Sequence, residues 1–141
     1  MDKAREFLNI VIKLEKVVAQ KGNKLPEEKA LTFLQYRALS FASEKDFATI
    51  SELGDNIGVS ISSATQIVER LIEQDFLKKE RSITDRRVVE VGLTESGKKQ
   101  YRKMDKEVLG EIAEILKVLG KKDADEMIRI NKKILDKLST K

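Results

Sequence analysis

Apolar residues in the first part of the chain recur every three or four positions, which is the period of an α-helix. Residues 3–20 carry such a stripe, made of Phe7, Ile10, Val11, Leu14, Val17 and Val18. Gly22 and Asn23 predict the end of this helix. A second helix is predicted from Pro26 through Ala42, because proline suits a first helical position. The segment SEKD from Ser43 predicts a polar turn.

Two short helical segments follow, and a glycine-containing turn separates them. The first is predicted over residues 50–56, with Thr49 or Ser51 as its cap. Gly58 tolerates a left-handed backbone and ends this helix, and Ser60 is placed to cap the next one. The buried stripe of that second helix is predicted to be Ala64, Ile67, Val68 and Leu71. Two helices joined in this way are typical of a helix-turn-helix.

After Asp75 the hydrophobic period changes from helical to alternating, which indicates β-strands. Residues 76–81 and 87–93 are predicted to be two strands, with Val89 and Val91 on the same face. The segment SITD between them supplies the hairpin connection. The pattern therefore predicts a β-hairpin directly after the helix-turn-helix.

Two further helices are predicted in the C-terminal part of the chain. Thr94 is placed to cap a long helix that runs to Gly120, although Gly97 lies in its first turn. The last helix is predicted over residues 123–138. The apolar stripe of the long helix consists of Tyr101, Met104, Val108, Ile112, Ile115, Leu116 and Leu119. We therefore expect a mainly α chain with a small β-hairpin.

The 141-residue chain contains neither cysteine nor histidine. This composition excludes disulfides, thiol redox switches, metal sites built on Cys or His, and nucleophiles that His activates. An enzyme would need carboxylates, Lys or Ser clustered in a cleft, whereas the acidic residues are spread along predicted helix surfaces. We expect no catalytic residue, no metal and no cofactor.

The N-terminal segment MDKAREFLNI lacks the basic and apolar regions of a signal peptide. No apolar run in the chain approaches the length of a membrane span. A soluble cytoplasmic protein without a membrane partner is therefore expected.

The second helix of the helix-turn-helix presents side chains that suit a DNA groove. If its apolar stripe faces the core, Ser62, Ser63, Gln66 and Arg70 lie on the open face, with Thr65 towards one edge. Small hydroxyls allow a helix to approach base edges closely, and Gln66 can pair with adenine or reach a phosphate. The alternative is that Ser and Thr here are ordinary capping and surface residues. This segment alone leaves both interpretations open.

The predicted hairpin is strongly basic and favours DNA as the partner. Residues 78–87 carry a net charge of +3, whereas the whole chain carries +4. The basic residues of the hairpin are Lys78, Lys79, Arg81, Arg86 and Arg87, and the acidic ones are Glu80 and Asp85. In isolation, such a hairpin would be interpreted as a solvated sheet edge. Because it follows a candidate reading helix directly, we interpret it as a DNA-binding wing.

One acidic residue of the wing is placed to orient an arginine. Asp85 precedes Arg87 by two positions and can hold its guanidinium in a fixed direction. An arginine at a narrow tip suits the enhanced negative potential of a narrow minor groove. We expect Asp85 to order Arg87, Arg86 to make a supporting phosphate contact, and Lys78 and Arg81 to bind DNA as well.

Four segments in order resemble the MarR family of multiple-antibiotic-resistance-type regulators. They are LTFLQYRALSF, TISELGDNIGVSISSATQIVERLIEQDFL, the wing DRR and LTESGK. The resemblance implies a homodimer whose reading helices enter consecutive major grooves of a pseudo-palindromic site, while the wing arginine enters the flanking minor groove. It places Ser60, Ser62, Ser63, Thr65, Gln66 and Arg70 on the reading helix, and Asp85 and Arg87 on the wing. Gln66 departs from the family pattern, in which a basic residue is common here.

The resemblance also implies a repressor that a small aromatic or phenolic anion releases from DNA. By position, the effector pocket would be lined by Tyr36, Arg37 and Tyr101. The alternative is that the two tyrosines are packing residues and that Arg37 forms an ion pair within the dimer. The absence of cysteine excludes a switch based on cysteine oxidation.

The expected organisation has three parts. Residues 1–30 form the N-terminal dimerisation helix and lead into helix 2, residues 31–97 form the winged helix-turn-helix DNA-binding domain, and residues 98–141 form the C-terminal dimerisation helices. The terminal helices carry more apolar stripe than a small winged module could cover, so burial by a second chain is favoured over an intramolecular helical layer. The remaining functional alternative is a winged helix used only for protein interaction.

Overall fold

The computed structural model describes the backbone of residues 2–22 and 33–139, and the side chains of residues 2–17 and 33–139. The chain forms two compact units, Met1–Tyr101 and Arg102–Lys141. The helices and strands in chain order are α1 Lys3–Gly22, α2 Phe33–Lys45, β1 Ala48–Thr49, α3 Ile50–Ile57, α4 Ile61–Glu73, β2 Leu77–Arg81, β3 Val89–Leu93 and α5 Glu95–Ser139. The mainly helical fold class with a small β element is confirmed.

The end of α2 differs from its prediction. The helix continues through Lys45, so the polar turn predicted from Ser43 is wrong at its first three residues. Ser, Glu and Lys are tolerated in helices, and the chain leaves the helix only at Asp46, whose φ of 62° is left-handed. The predicted start of this helix, from Pro26 to residue 32, lies outside the described residues.

The sheet has three antiparallel strands in the order β1-β3-β2, one strand more than the predicted hairpin. β1 contains only two residues, in which Ala48 pairs with Val91. Such a segment is too short to show an alternating period, and alanine is depleted in strands. β2 and β3 pair as predicted, with Leu77 opposite Leu93.

One core lies within the first unit and joins its helices to its sheet. The largest fully buried side chains come from α2, α3, α4, β2 and β3, and they are Leu39, Leu53, Leu71, Leu77, Val68 and Val91. Burial of each of these side chains contributes roughly 1.5–3 kcal/mol to the free energy of folding. The helix-turn-helix and the hairpin are therefore held by the same apolar contacts.

The end of α4 and the start of β2 form a tight junction. α4 closes with a Schellman motif, in which the Asp75 N–H donates to the Ile72 carbonyl and the Phe76 N–H donates to the Leu71 carbonyl, both at 2.9 Å. This motif requires a left-handed residue, and Asp75 supplies it with a φ of 66°. The chain therefore turns directly from the reading helix into the wing.

The start of α5 rests on this junction. The Thr94 hydroxyl donates to the Asp75 carbonyl at 2.6 Å and accepts from the Gly97 N–H at 2.9 Å, so Thr94 is the predicted cap. The Thr94 N–H also donates to the Phe76 carbonyl at 3.1 Å. A Cβ at Gly97 would lie 2.0 Å from the Phe76 carbonyl oxygen. A glycine in the first turn of α5 is therefore a packing requirement.

The second unit contains the remainder of α5, which is not one continuous helix. Gly120 interrupts it with φ 78° and ψ 166°, at the position where the sequence pattern predicts the break. Many large apolar side chains of this unit are exposed in the single chain, among them Leu109, Ile112, Ile115, Val118, Ile128, Ile134, Leu135 and Leu138. In α1, the predicted stripe residues Phe7, Ile10, Val11, Leu14 and Val17 are exposed as well.

No helix among the described residues is both long enough and apolar enough to cross a bilayer.

Gly97→Ala should destabilise the first unit by about 1–3 kcal/mol, because the added methyl group forces α5 away from the Phe76 carbonyl. Ser96→Ala in the same turn is the control, since Ser96 is exposed and should change stability by less than about 0.5 kcal/mol. Urea unfolding of both variants measures the difference. Equal stabilities would contradict the packing role of Gly97.

Candidate nucleic-acid interface

Paired caps fix the two helices of the helix-turn-helix. Thr49 and Glu52 form a capping box at the start of α3, in which the Thr49 hydroxyl accepts from the Glu52 N–H and the Glu52 carboxylate accepts from the Thr49 N–H, both at 3.0 Å. Hydrogen bonding to the Glu52 carboxylate, from the Thr49 backbone N–H first and from the Thr49 side chain second, lowers the pKa of Glu52. Gly58 closes α3 with a φ of 75°, as predicted.

A close approach of α3 and α4 sets the angle of the motif. A Cβ at Gly54 would lie 3.2 Å from the Val59 carbonyl oxygen and 3.3 Å from the Ala64 Cβ. Both contacts are tighter than ordinary packing, so a larger residue here would push the helices apart. Gly54 and Ala64 are both buried. Two small residues therefore let α4 lie close over α3.

The structure places the predicted reading residues on the open side of α4. Ala64, Val68 and Leu71 are buried, as the apolar stripe predicts, whereas Ile67 of the same predicted stripe is only half-buried. The side chains exposed on this helix include Ser62, Ser63, Gln66 and Arg70. These side chains are therefore accessible to a partner that approaches the open face of α4.

Two hydroxyls of the helix also have local roles. The Ser60 hydroxyl accepts from the Ser63 N–H at 3.1 Å and is the N-cap of α4, as predicted. The half-buried Thr65 donates its hydroxyl proton to the Ile61 carbonyl at 2.8 Å. Thr65 can therefore only accept a further hydrogen bond, which limits the base edges it could recognise.

The wing tip is an ordered turn. The Ser82 N–H donates to the Val88 carbonyl at 2.9 Å and the Val88 N–H donates to the Asp85 carbonyl at 3.0 Å. Arg81 adds a brace, because its guanidinium donates to the Arg86 carbonyl at 2.8 Å. Arg81 therefore stabilises the backbone of the turn, and the Arg86 side chain is exposed.

Asp85 holds Arg87 as the sequence spacing predicts. The Asp85 carboxylate accepts from the Arg87 Nε at 3.2 Å, from its Nη2 at 3.3 Å and from its backbone N–H at 3.1 Å. The Arg87 side chain and backbone together lower the pKa of Asp85, so the carboxylate is ionised at neutral pH. The Arg87 side chain is nevertheless 91% exposed. Its guanidinium is thus oriented and still available to a partner.

An ion pair connects the wing to the reading helix. Lys79 on β2 donates to the Glu69 carboxylate on α4 at 2.6 Å. Both side chains are about half exposed, so the pair contributes at most about 1 kcal/mol. Lys78 lies 3.7 Å from Glu80 and 5.9 Å from the centre of the Phe47 ring. Both lysines therefore interact with side chains of the same chain and still expose part of their charge to solvent.

Two of the three effector-pocket candidates, Tyr36 on α2 and Tyr101 in the first turns of α5, meet in the structure. Tyr36 and Tyr101 stack with their ring centres 6.0 Å apart, and Phe33 stacks on Tyr36 at 5.9 Å. The Ser40 and Tyr101 hydroxyls lie 3.5 Å apart. The structure therefore brings the two tyrosines together.

Arg37 points to the helix-turn-helix. Its guanidinium donates to the Asn56 carbonyl at 2.9 Å and to the Ile57 carbonyl at 3.3 Å. These are carbonyls at the C-terminal end of α3, where a positive charge is favourable. Arg37 thus ties α2 to the last turn of α3, a role that spacing alone does not indicate.

Two exposed isoleucines were not singled out by the sequence patterns. Ile61 in the first turn of α4 is 62% exposed, and Ile83 at the wing tip is 100% exposed. An apolar residue inside a short polar loop carries no periodic signal. Only the geometry of the turn shows that Ile83 lacks a packing partner within the chain.

A helix-turn-helix followed by a basic hairpin defines the winged-helix class of transcriptional regulators. The family of the transcriptional regulator SarA/Rot matches residues 20–104. The chain belongs to this family, and its fold is that of the MarR-type regulators, which confirms the resemblance seen in the sequence. It is a transcriptional regulator of the winged-helix type.

Individual relatives agree with this assignment. The uncharacterized HTH-type transcriptional regulator YsmB of Bacillus subtilis is 28% identical over 122 residues, which are 86% of this chain and 81% of the relative. Wild-type MarR from E. coli has a TM-score of 0.76 at 20% identity and covers 96% of this chain and 98% of its own. BpsR from Bordetella bronchiseptica has a TM-score of 0.75 at 17% identity, with 94% and 98% covered. The two structures share the fold.

The contact between Asp85 and Arg87 should be lost in acid, when the Asp85 carboxylate is protonated. Because the folded pKa of Asp85 is lowered, the contact stabilises the turn above the ordinary aspartate pKa of about 3.9 and is lost as the pH falls through the folded value. An NMR titration of the Asp85 carboxyl carbon should therefore show a midpoint below that value. Arg87→Ala should raise the midpoint, and identical midpoints in the two proteins would contradict the contact.

Proposed function

We propose that the protein represses transcription by binding duplex DNA as a homodimer at a pseudo-palindromic operator. The observation that carries the proposal is the wing, where an exposed guanidinium is held in one orientation beside an exposed reading helix. Fixing a charged side chain before binding reduces the entropy lost on contact. A cytoplasmic location follows from this proposed role at the operator.

The open face of α4 would enter the major groove. Ser62 and Ser63 permit close approach, Gln66 can form paired bonds to adenine, and Arg70 can reach a phosphate. Ser60 keeps its hydroxyl proton while it caps the helix, so it can donate to a backbone phosphate at the helix N-terminus. Thr65 would add an acceptor or a methyl contact at the edge of this face.

The wing would enter the flanking minor groove. Arg87 would lie in the groove, where narrow A·T-rich segments carry the strongest negative potential. The exposed Arg86, Lys78 and Arg81 would contact neighbouring phosphates. Asp85 would act through Arg87 and would not touch DNA itself.

The exposed apolar stripes support a homodimer. α1 and the helices of the second unit both present large apolar side chains to water in the single chain. Isolated soluble chains rarely expose contiguous apolar patches of more than a few hundred Å². Burial of these stripes by a second copy also places two reading helices on one symmetric site.

The aromatic stack supports an effector site for a small aromatic or phenolic anion. Phe33, Tyr36 and Tyr101 form one aromatic stack beside which a flat ring would pack, and Ser40 lies beside the Tyr101 hydroxyl. Arg37 has five N–H donors, so it can hold the end of α3 and still donate to a carboxylate. Among proteins of this fold, BpsR is described as regulated in its DNA binding by 6-hydroxynicotinic acid. A ligand here would act on the helix-turn-helix through Arg37.

Two variants that each remove one negative charge distinguish the orientation of Arg87 from the net charge of the wing. Asp85→Asn and Glu80→Gln each remove one negative charge from the wing, which by charge alone should tighten DNA binding. We expect Glu80→Gln to bind as tightly as the native protein or more tightly. Asp85→Asn should bind about tenfold more weakly, because Arg87 loses its oriented contact. Fluorescence anisotropy on a duplex of about 30 base pairs, long enough for two half-sites, measures both.

Equal effects of the two variants would contradict the orienting role of Asp85. The native protein should also lose affinity steeply as salt increases, because phosphate contacts release counterions. A flat salt response would favour the alternative, a winged helix that binds only protein.

The homodimer has its own test. Light scattering coupled to size exclusion should give twice the 16.0 kDa mass of one chain. Ile134→Glu places a charge on an exposed apolar position of the second unit and should shift the protein towards monomer. Lys137→Glu is the control on an exposed polar position. A native protein of 16.0 kDa in solution would contradict the proposal.

A further inference from the structure

The most exposed large apolar side chain among the described residues lies at the wing tip. Ile83 is 100% exposed, so it has no packing role within the chain. It stands beside the turn that holds Arg87, in the part of the chain with a net charge of +3. A β-branched side chain has few rotamers and therefore loses little entropy on burial.

The polar groups of the tip are directed to one another. The Ser82 and Thr84 hydroxyls lie 3.0 Å apart, and the Asp85 N–H donates to the Ser82 hydroxyl at 3.4 Å. The Asp85 carboxylate is occupied by Arg87. What the tip presents outward is therefore one branched aliphatic group and the arginine side chains of the wing.

We propose that Ile83 is an apolar DNA contact that enters the minor groove beside Arg87 and packs against a base step and its deoxyribose walls. The inference rests on the proposed function of the wing. Aliphatic side chains are well suited to this place, because minor-groove proteins use Ile, Leu and similar residues as wedges between base steps. The positive charge of the hairpin and the adjacent reading helix favour DNA over an apolar protein surface.

The contact predicts a preference that hydrogen bonds do not provide. An aliphatic group in the minor groove cannot distinguish base edges, but it favours steps that unstack or widen easily. A·T-rich flanks that contain TA steps should therefore bind better than uninterrupted A-tracts at the position that Ile83 reaches, because TA steps keep the A·T content that favours Arg87 and also unstack easily. The residue would thus contribute to specificity through DNA shape.

The test compares Ile83→Ala, Ile83→Leu and Arg87→Ala on the same duplex of about 30 base pairs. Ile83→Ala should weaken binding about fivefold with an unchanged slope of log affinity against log salt, because it removes apolar contact and no charge. Ile83→Leu should retain most of the affinity. Arg87→Ala should reduce the slope by about one unit. Thermal unfolding of Ile83→Ala should match the native protein, since Ile83 has no packing partner in the chain.

Four results would overturn the inference. If Ile83→Ala bound DNA with native affinity, Ile83 would not be a DNA contact. A reduced slope of log affinity against log salt in this variant would show that the lost interaction is not apolar. A change in oligomeric state with unchanged DNA binding would assign Ile83 to a protein contact. If the native protein itself shows no salt-dependent DNA binding, the proposed function fails, and the inference fails with it.

Discussion

The position of the wing relative to the reading helix depends on one junction of backbone contacts. The last turn of α4, the start of β2 and the first turn of α5 meet where Thr94 bonds to the Asp75 and Phe76 backbone. Gly97 lets α5 approach the Phe76 carbonyl closely enough for these bonds to form. Because these bonds join the end of α4, the start of β2 and the first turn of α5, a shift at the junction would move the wing and that first turn together. The DNA-binding elements and the start of α5 are therefore one mechanical unit.

In the wing, an acidic residue orders an arginine although it reduces the net positive charge. Asp85 lowers the net positive charge of the tip, yet it holds the arginine that would enter the minor groove. Arg81 likewise uses part of its guanidinium to brace the turn. A tip with more free positive charge would attract DNA at longer range, but it would lose more side-chain entropy at contact. Under the proposed function, the tip would make a preorganised contact and would rely less on attraction at a distance.

Hydrophobic period and capping residues predicted most of this fold. The helices α1, α3 and α4, the caps at Thr94 and Ser60, and the break at Gly120 all carry local signals, and the structure has them. The strand β1 was not predicted, because two residues are too few to show an alternating period. The helix α2 is longer than predicted, because no residue before Asp46 prevents a helical conformation. At the candidate site, the spacing of Asp85 and Arg87 predicted their contact. The clamp of Arg37 on α3 and the exposure of Ile83 arise from tertiary placement, which sequence spacing does not encode.

In the proposed function, two winged modules in a symmetric pair recognise specific duplex DNA. Selection of bound sequences from a pool of random duplexes with the native protein tests this recognition. We expect enrichment of a pseudo-palindrome whose half-sites are centred about one helical turn apart, roughly 34 Å. Recovery of unenriched DNA, or of a single half-site without its symmetric partner, would contradict it.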